Sequence, residues 1–202
     1  MNKFPFNKIA LLNDGGPYDW EFGKSNTNII IEHKYLNIQL LRYLITTKNG
    51  DGLYDTFSIK EPDTNCVVLI RNKENEIGLI KEWRPIPEKW FWECVRGFSD
   101  PNDKDSVAVA EREVLEEIGN YGIINSKKIG VLYQNTSYFE NPIEVILMQI
   151  EKPEEKNKLE TGIIDFKFFS LKEIKKMIVK SEIEDQFTIS ALTKFIFLDE
   201  IG

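Results

Sequence analysis

The chain has 202 residues, of which 42% are hydrophobic and 29% are charged, as in an ordinary soluble globular protein. This length suggests one domain, or one domain with a substantial appendage. The formal net charge of -7 argues against a surface that grips nucleic acid or anionic lipid. Small anionic substrates remain compatible with it if a bound metal offsets their charge.

Simple counts exclude further classes of function. No apolar run approaches the roughly 18 residues of a membrane span, and the first residues lack a signal-peptide core, so we expect a cytoplasmic protein without a membrane partner. Cys66 and Cys94 are too few for a disulfide scaffold and fit a reducing compartment. The single histidine, His33, disfavours a histidine-based metal site or a Ser-His-Asp triad. Any chemistry must then rest on carboxylates and metal.

In chain order, residues 1–27 show no sustained period and are predicted to be an irregular arm. Strands are predicted at 28–32, 36–47 and 53–60, with a hairpin turn at Asn49-Gly50-Asp51-Gly52. Pro62-Asp63-Thr64-Asn65 marks a boundary. Residues 1–62 are therefore interpreted as an arm and a small antiparallel sheet, and residues 63–202 as the main domain.

The main domain mixes strands with helices. Strands are predicted at 66–71, 77–83, 90–95, 129–134, 143–150 and 163–169. Helices are predicted at 105–118, 171–179 and 185–198, and polar or charged loops at 97–104 and 151–161. This order predicts a mixed α/β sandwich in which helices cover a sheet.

The helix at 105–118 is amphipathic, with Asp103 or Asp105 as its N-cap and Gly119 at its end. Its predicted apolar face consists of Val107, Ala110, Val114 and Ile118, with Leu115 at the border. Glu113, Glu116 and Glu117 fall within about a 100° arc on the opposite side. Two explanations stay open from periodicity alone: the solvated face of an ordinary helix, or a cleft whose carboxylates hold a hard cation such as Mg²⁺.

The residues around this helix resemble the Nudix box. Glu93 and Gly97 precede Arg112-Glu113-Val114-Leu115-Glu116-Glu117-Ile118-Gly119, which matches the second half of that pattern at every fixed position. The first half departs from it: 14 residues separate Gly97 from Arg112, one more than in the pattern. Asp103, Lys104 or Asp105 takes the place of the first glutamate, and Asn120 that of the last apolar residue.

Further runs resemble the ADP-ribose pyrophosphatase and nucleotide-sugar branch of this family. They are Lys81-Glu82-Trp83-Arg84-Pro85 and Ser181-Glu182-Ile183-Glu184-Asp185-Gln186-Phe187-Thr188. The resemblance implies an α/β/α sandwich with the box as loop, helix and loop, and an N-terminal sheet that forms a homodimer. The proline typical of ADP-ribose enzymes is absent near Thr136, which leaves the substrate open.

The resemblance also implies roles for individual residues. Glu113, Glu116 and Glu117 would hold Mg²⁺, or Mn²⁺ in its place, and the carbonyl of Gly97 would approach the metal. Arg112 would pair with these carboxylates and hold the loop, and Glu116 would also serve in catalysis. The plainer alternatives are surface glutamates, a solvated arginine and an ordinary turn glycine.

Substrate and base positions follow from the same resemblance. Arg84 would contact the diphosphate and Glu93 would join the substrate site, against the alternatives of an exposed arginine and a strand-end acid. Glu160 is the best-placed general base, and Glu154, Glu155 and Asp165 compete with it.

Together these assignments predict a metal-dependent hydrolase of a small-molecule substrate, a nucleoside diphosphate linked to another group such as ADP-ribose or a nucleotide sugar. The alternative is a Nudix-like module that binds or senses a nucleotide without turnover, which the altered first half of the box favours. A different sandwich fold with a chance match is the third reading.

Overall fold

The computed structural model describes residues 8–11, 29–33, 36–47, 50–151 and 158–201. The chain divides into two compact units. The first comprises residues 1–62 and 135–141, and the second comprises residues 63–134 and 142–202.

The first unit contains a small antiparallel sheet, as the sequence predicts. Its strands are β1 (Lys8–Leu11), β2 (Ile29–His33), β3 (Leu36–Thr47) and β4 (Gly50–Lys60). β4 pairs with β3 from end to end, while β1 and β2 pair with opposite ends of the other edge of β3. The prediction of an irregular arm was wrong at β1, because these residues pair with β3. The rest of that arm lies outside the described residues.

The segment 135–141 belongs to the same unit because its backbone bonds to the end of β4. The Ile59 amide donates to the Tyr138 carbonyl (2.7 Å), and the Glu140 amide donates to the Ile59 carbonyl (3.1 Å). The rings of Phe57 and Tyr138 stack with centroids 4.5 Å apart.

The second unit is built on a seven-stranded mixed sheet. Its elements are β5 (Asn65–Arg71), β6 (Ile77–Arg84), β7 (Lys89–Glu93), β8 (Val95–Phe98), α1 (Ser106–Ile118), β9 (Ile123–Leu132), β10 (Ile143–Ile150), β11 (Ile163–Phe169), α2 (Leu171–Val179) and α3 (Gln186–Ile201). The strand order is β11-β6-β5-β10-β9, with β7 added to β6 and β8 added to β5. β5 and β10 run parallel, and the other pairs are antiparallel.

Helices cover both faces of this sheet, which confirms the predicted α/β sandwich. Along β5, Cys66, Val68 and Ile70 pack with the buried face of α1, whereas Val67 and Leu69 pack with α2 and α3. Because successive strand residues point to opposite faces, a strand covered on both sides reads as a continuous apolar run. Within the described residues, no helix is long and apolar enough to cross a membrane.

Several boundaries differ from the prediction: β4 begins at Gly50, inside the predicted hairpin turn, and three differences lie near the helix Ser106–Ile118 or the edge of the main sheet. The aromatic strand expected at 90–95 is two strands, β7 and β8, because the Cys94 amide donates to the Thr188 hydroxyl instead of a neighbouring strand. Gly97 lies within β8, where it pairs with Cys66, and is not part of a polar loop. β9 begins at Ile123, earlier than expected, because it pairs with the whole length of β10.

The start of α3 is tied to the break between β7 and β8. The Thr188 hydroxyl accepts the Cys94 amide (2.9 Å) and donates to the Asp185 carboxylate (2.7 Å). Asp185 also accepts the Thr188 amide, at 2.8 Å. Thr188 is fully buried, so these bonds are shielded from water.

We expect Thr188→Val to lower the free energy of unfolding by about 1–3 kcal/mol, because it leaves the Cys94 amide buried without an acceptor. The control is Thr193→Val on the same helix, where an exposed hydroxyl bonds only to the Ile189 carbonyl and the expected change is within about 0.5 kcal/mol. Urea denaturation of the full chain measures both values. Equal stability of the two variants would contradict this assignment.

Candidate active site

Helix α1 begins and ends as predicted, but its buried face is turned toward the carboxylates. Asp105 is the N-cap and accepts the Ala108 amide, and the Gly119 amide donates to the Leu115 carbonyl. The buried residues are Ser106, Val109, Ala110, Val114, Glu117 and Ile118. Leu115, predicted at the border of the apolar face, is 55% exposed. Glu117 was predicted on the opposite side and is instead part of the buried face, which the apolar pattern alone does not indicate.

Glu117 is the most unusual carboxylate of the site. Only 8% of the residue is exposed. Its carboxylate accepts the Arg96 amide, whereas Oε2 has no hydrogen-bond partner among the described residues. Burial, followed by the negative charges of Glu82, Glu113 and Glu160, raises the pKa of Glu117 to about 9. Without a compensating positive charge, this carboxyl group therefore takes up a proton at neutral pH.

Gly97 and Glu113 are in direct contact across the gap between β8 and α1. A Cβ atom on residue 97 would lie 2.0 Å from the Cδ atom of Glu113, a separation that no real side chain shows. Any residue other than glycine here would therefore push the Glu113 carboxylate aside. Burial raises the pKa of Glu113, against the lowering effect of Arg112.

Arg112 joins the helix to the loop that precedes it. Its guanidinium donates to the Phe98 carbonyl (2.7 Å), to Asp103 Oδ2 (3.1 Å) and to the carboxylates of Glu113 (2.8 Å) and Glu116 (3.0 Å). Asp103 also accepts the Asp100 amide, which closes a turn in the loop. Of the three candidates for the place of the first glutamate, Asp103 is thus the residue that Arg112 binds.

A second group of charges lies around Glu93, which is 1% exposed. Arg84 donates to Glu93 through Nε (3.1 Å to each oxygen) and Nη2 (2.6 Å), and Arg96 donates to the same Oε2 atom at 2.8 Å. Arg96 also lies over the Phe187 ring, 4.7 Å from its centroid, and 3.8 Å from Asp185. Glu93 therefore holds two arginines side by side and is itself closed off from solvent.

The sheet register places this group next to α1. Ile80 belongs to the core beneath α1 and pairs with Glu93, so strand alternation puts Glu82 and Arg84 on that same face. Trp83 points the opposite way, where it meets Trp90 edge to face. The aromatic pair is thus separated from the carboxylates by the sheet.

The turn before β11 brings Glu160 to the end of α1. The Glu160 amide donates to the Glu117 carbonyl (3.0 Å), and the Ile163 amide donates to the Glu160 carbonyl (3.1 Å). Of the competing bases, Asp165 is paired with Lys167 at 2.6 Å. Glu154 and Glu155 lie outside the described residues.

Sequence reasoning assigned no role to Glu82 or Arg96. Glu82 is half-buried, pairs with Arg84 at 2.8 Å and acts electrostatically on Glu117. The available signal for Glu82 was its place near the end of a predicted strand, two residues before Arg84, since this spacing puts both side chains on one face if the strand continues. For Arg96 the sequence carried no signal, because its partners Glu93, Asp185 and Phe187 meet it only in the folded chain.

Comparison with known proteins decides the family. The family model for the NUDIX domain matches residues 61–188, more than half of the chain. The chain belongs to the Nudix family. A solved structure described as "Crystal structure of ADP compounds hydrolase" is similar over 99% of both chains, with a TM-score of 0.68 and 16% sequence identity. No curated protein matches the chain.

Membership in the Nudix family confirms the predicted enzyme class, a Nudix pyrophosphohydrolase. The solved structure supports the fold alone, because its sequence is only 16% identical to this chain. Nudix enzymes generally use divalent metal cations, so the carboxylates around α1 have to be compared with the needs of such an ion.

The residues of the Nudix box fit a hard cation. Oε2 of Glu117 is a buried acceptor that no described residue bonds, as is expected of a metal ligand whose ion is absent. The Glu113 carboxylate lies over Gly97 and would be displaced by a side chain there. Among the described residues, no three acidic, cysteine or histidine side chains form a ready cage. Arg112 is paired with Glu113 and Glu116, so these two carboxylates have to leave the arginine to bind an ion.

We expect Glu117→Gln to stabilise the metal-free protein at high pH. The folded-state pKa of about 9 lies above the ordinary value of 4.5, so the folded state holds a proton that the unfolded state releases. The stability of the unsubstituted protein should then fall as pH rises through this interval, by up to about 1.4 kcal/mol per pH unit. The Gln variant lacks this loss and should be more stable by at least about 1 kcal/mol at pH 8.

Urea denaturation in EDTA from pH 5 to pH 9 measures this difference. Glu111→Gln is the control, because Glu111 lies on the same helix but bonds to Ser126 and not to the box. A Glu117→Gln difference that does not grow with pH would show that Glu117 is ionised in the metal-free fold.

Proposed function

We propose that this protein hydrolyses the diphosphate bond of a nucleoside diphosphate linked to another moiety, with ADP-ribose and nucleotide sugars as the substrate class. The single observation that carries the proposal is the buried Glu117 carboxylate with its partnerless oxygen, set among Glu82, Glu113 and Glu160. The family membership supports it, and so does the description of the similar solved structure as a hydrolase of ADP compounds. The products are a nucleoside monophosphate and a phosphorylated remainder.

Metal dependence is part of the proposal. Glu113, Glu116 and Glu117 hold Mg²⁺, or Mn²⁺ in its place, and the Gly97 carbonyl lies on the strand that faces them. When bound, the cation neutralises negative charge on the diphosphate and favours ionisation of the attacking water. Arg112 holds Glu113 and Glu116 while the metal is absent and keeps the loop against the helix in either state.

Arg84 and Arg96 are proposed to bind the diphosphate. Both guanidiniums are partly exposed, at 31% and 24%, and both are held by the buried Glu93. A guanidinium fixed in this way offers its remaining N–H groups to phosphate oxygens with little loss of side-chain freedom. Glu93 is therefore a positioning residue for the two arginines.

Glu160 is proposed to take the proton from the attacking water. The oxygen of this water bonds to one phosphorus, and the bond from that phosphorus to the bridging oxygen breaks with its electron pair on the bridging oxygen. Glu160 is exposed, and its backbone is fixed to the Glu117 carbonyl, so its carboxylate reaches solvent beside the box. Asp165 is a weaker candidate because Lys167 neutralises it.

The unit formed by residues 1–62 is proposed to join two copies of the chain in a homodimer, with residues 63–202 as the catalytic domain. A single sheet has an apolar face that has to be buried against another element, so this four-stranded sheet needs a surface on which to pack. The small-molecule substrate is the other partner.

The function is tested by incubating the protein with ADP-ribose and with a panel of nucleotide sugars, in Mg²⁺ and in EDTA. We expect nucleoside monophosphate as product in Mg²⁺, no turnover in EDTA, and free phosphate only when alkaline phosphatase is present. Glu117→Gln should lower kcat at least about 100-fold, while the Glu111→Gln control retains activity. Turnover in EDTA, near-normal kcat in folded Glu117→Gln, or binding without any product would contradict the proposal.

The role of Glu160 is tested by Glu160→Gln. A general base acts on a proton in the transition state, so kcat should fall by roughly 10²–10⁴-fold while KM and Mn²⁺ affinity stay nearly constant. Asp165→Asn, which removes an equal charge from the adjoining strand, tests the weaker candidate in the same assay. If Glu160→Gln, Asp165→Asn, Glu154→Gln and Glu155→Gln all keep more than about a tenth of kcat, no base from this segment acts on the water.

A further inference from the structure

Glu82 occupies the point at which three elements of the site meet. It lies on β6 opposite Ile163 of β11, and the turn that carries Glu160 immediately precedes Ile163. The next residue of β6, Trp83, donates its amide to Gly162 in that turn at 3.0 Å. Since the Glu160 amide is bonded to the Glu117 carbonyl, the backbones beside Glu82, Glu160 and Glu117 are connected by successive hydrogen bonds.

The side chain of Glu82 faces the same space as Glu117. Strand alternation from the buried Ile80 puts Glu82 on the α1 side of the sheet. Glu117 reaches this space from α1, and among charged groups the one that acts most strongly on it is Glu82. Glu82 is only 22% exposed, so its carboxylate is not simply a solvated surface charge.

Arg84 neutralises Glu82 only in part. Its Nη2 atom lies 2.8 Å from Glu82, but it lies 2.6 Å from Glu93, to which Nε also donates. One guanidinium thus serves two carboxylates, while Oε2 of Glu117 has no donor in the described part of the chain. The negative charges of Glu82 and Glu117 act on each other in this cleft, and a cation between them would offset that repulsion.

We infer that Glu82 is a metal ligand, which binds a divalent cation from the sheet side together with Glu117, while water completes the shell of the ion. This inference rests on the proposed function and adds to it a ligand outside the Nudix box. The box supplies carboxylates from α1 alone, whereas Glu82 comes from β6. The cation therefore links the helix to the sheet.

The test is direct binding of Mn²⁺ to the full chain, measured from the free Mn²⁺ signal in electron paramagnetic resonance without substrate. We expect Glu82→Gln to bind one equivalent fewer, or to raise the Mn²⁺ Kd about tenfold or more. Glu111→Gln, an equal change of charge on α1, should bind as the unsubstituted protein does. Glu82→Gln with unchanged stoichiometry and a Kd change below about tenfold would overturn the inference.

Arg84→Gln separates a ligand from a residue that acts through Arg84. If Glu82 binds the cation, loss of Arg84 frees its carboxylate, and Mn²⁺ should bind as tightly as before or more tightly. If Glu82 only positions Arg84, the Arg84→Gln variant should weaken Mn²⁺ binding as Glu82→Gln does, and this result would overturn the inference.

Two further outcomes separate this inference from the proposed function. Absence of Mn²⁺ binding to the unsubstituted protein would remove the metal from the proposed function itself, and the inference with it. Normal Mn²⁺ binding to both the unsubstituted protein and Glu82→Gln would overturn only the role of Glu82. Thermal unfolding in EDTA checks that the variant folds, and Glu82→Ala replaces it if it does not. Added Mn²⁺ should raise the melting temperature of the unsubstituted protein more than that of Glu82→Gln or Glu82→Ala.

Discussion

The burial of one carboxylate, Glu117, is the constraint on which the site depends. The residue lies in the face of α1 that packs on the sheet, where an ordinary amphipathic helix has an apolar side chain. Transfer of a carboxylate out of water costs free energy unless it loses its charge or gains a positive partner. The metal-free fold supplies one backbone amide and three neighbouring glutamates, so it favours the protonated form. A bound cation would favour the ionised form of Glu117 instead. The metal-free protein is thus less stable than it could be at this position, and the carboxylate is available to a cation.

The arginines of the site have separate tasks. Arg112 binds acids that belong to the helix and to the loop before it, and in the proposed function Glu113 and Glu116 leave it for a cation. Arg84 and Arg96 instead share Glu93, which is almost completely buried and has no access to solvent. In this proposal the ion pairs of Arg112 are exchangeable, whereas those of Arg84 and Arg96 with Glu93 are fixed. A fixed pair suits the binding of a substrate anion, because its geometry is set before the anion arrives.

Most of the fold could be predicted from the sequence because most of its strands and helices carry their own local signals. The strand Ile143–Ile150 and the helix Leu171–Val179 have the predicted limits, since apolar continuity or a capping box marks their ends. β1 was missed because four residues in a segment without periodicity become a strand only by pairing with β3. The division of the aromatic strand at Cys94 depends on Thr188, far away in the chain, and no local pattern contains that information.

The site was predictable to the extent that its residues fall in one motif. Spacing on a helix groups Glu113, Glu116 and Glu117, and the fold keeps them together. Spacing does not determine which of the three is buried, because that depends on how the helix rolls against the sheet. Glu116 is half exposed, and Glu117 is enclosed. Glu82 and Arg96 reach the same centre by strand alternation and by tertiary contact, which require the register of β6 and β8.

The loop between β8 and α1 is fixed near both ends and open in the middle. Arg112 binds the Phe98 carbonyl at its beginning and Asp103 toward its end, while Pro101 and Asn102 between them are exposed. An extra residue here lengthens only the exposed tip, and the positions of Gly97 and Glu113 are set by the strand and the helix. The length of the loop can therefore change at this tip without moving Gly97 or Glu113. A natural insertion, or a spectroscopic label introduced by design, can sit at this tip beside the reaction centre without taking part in it.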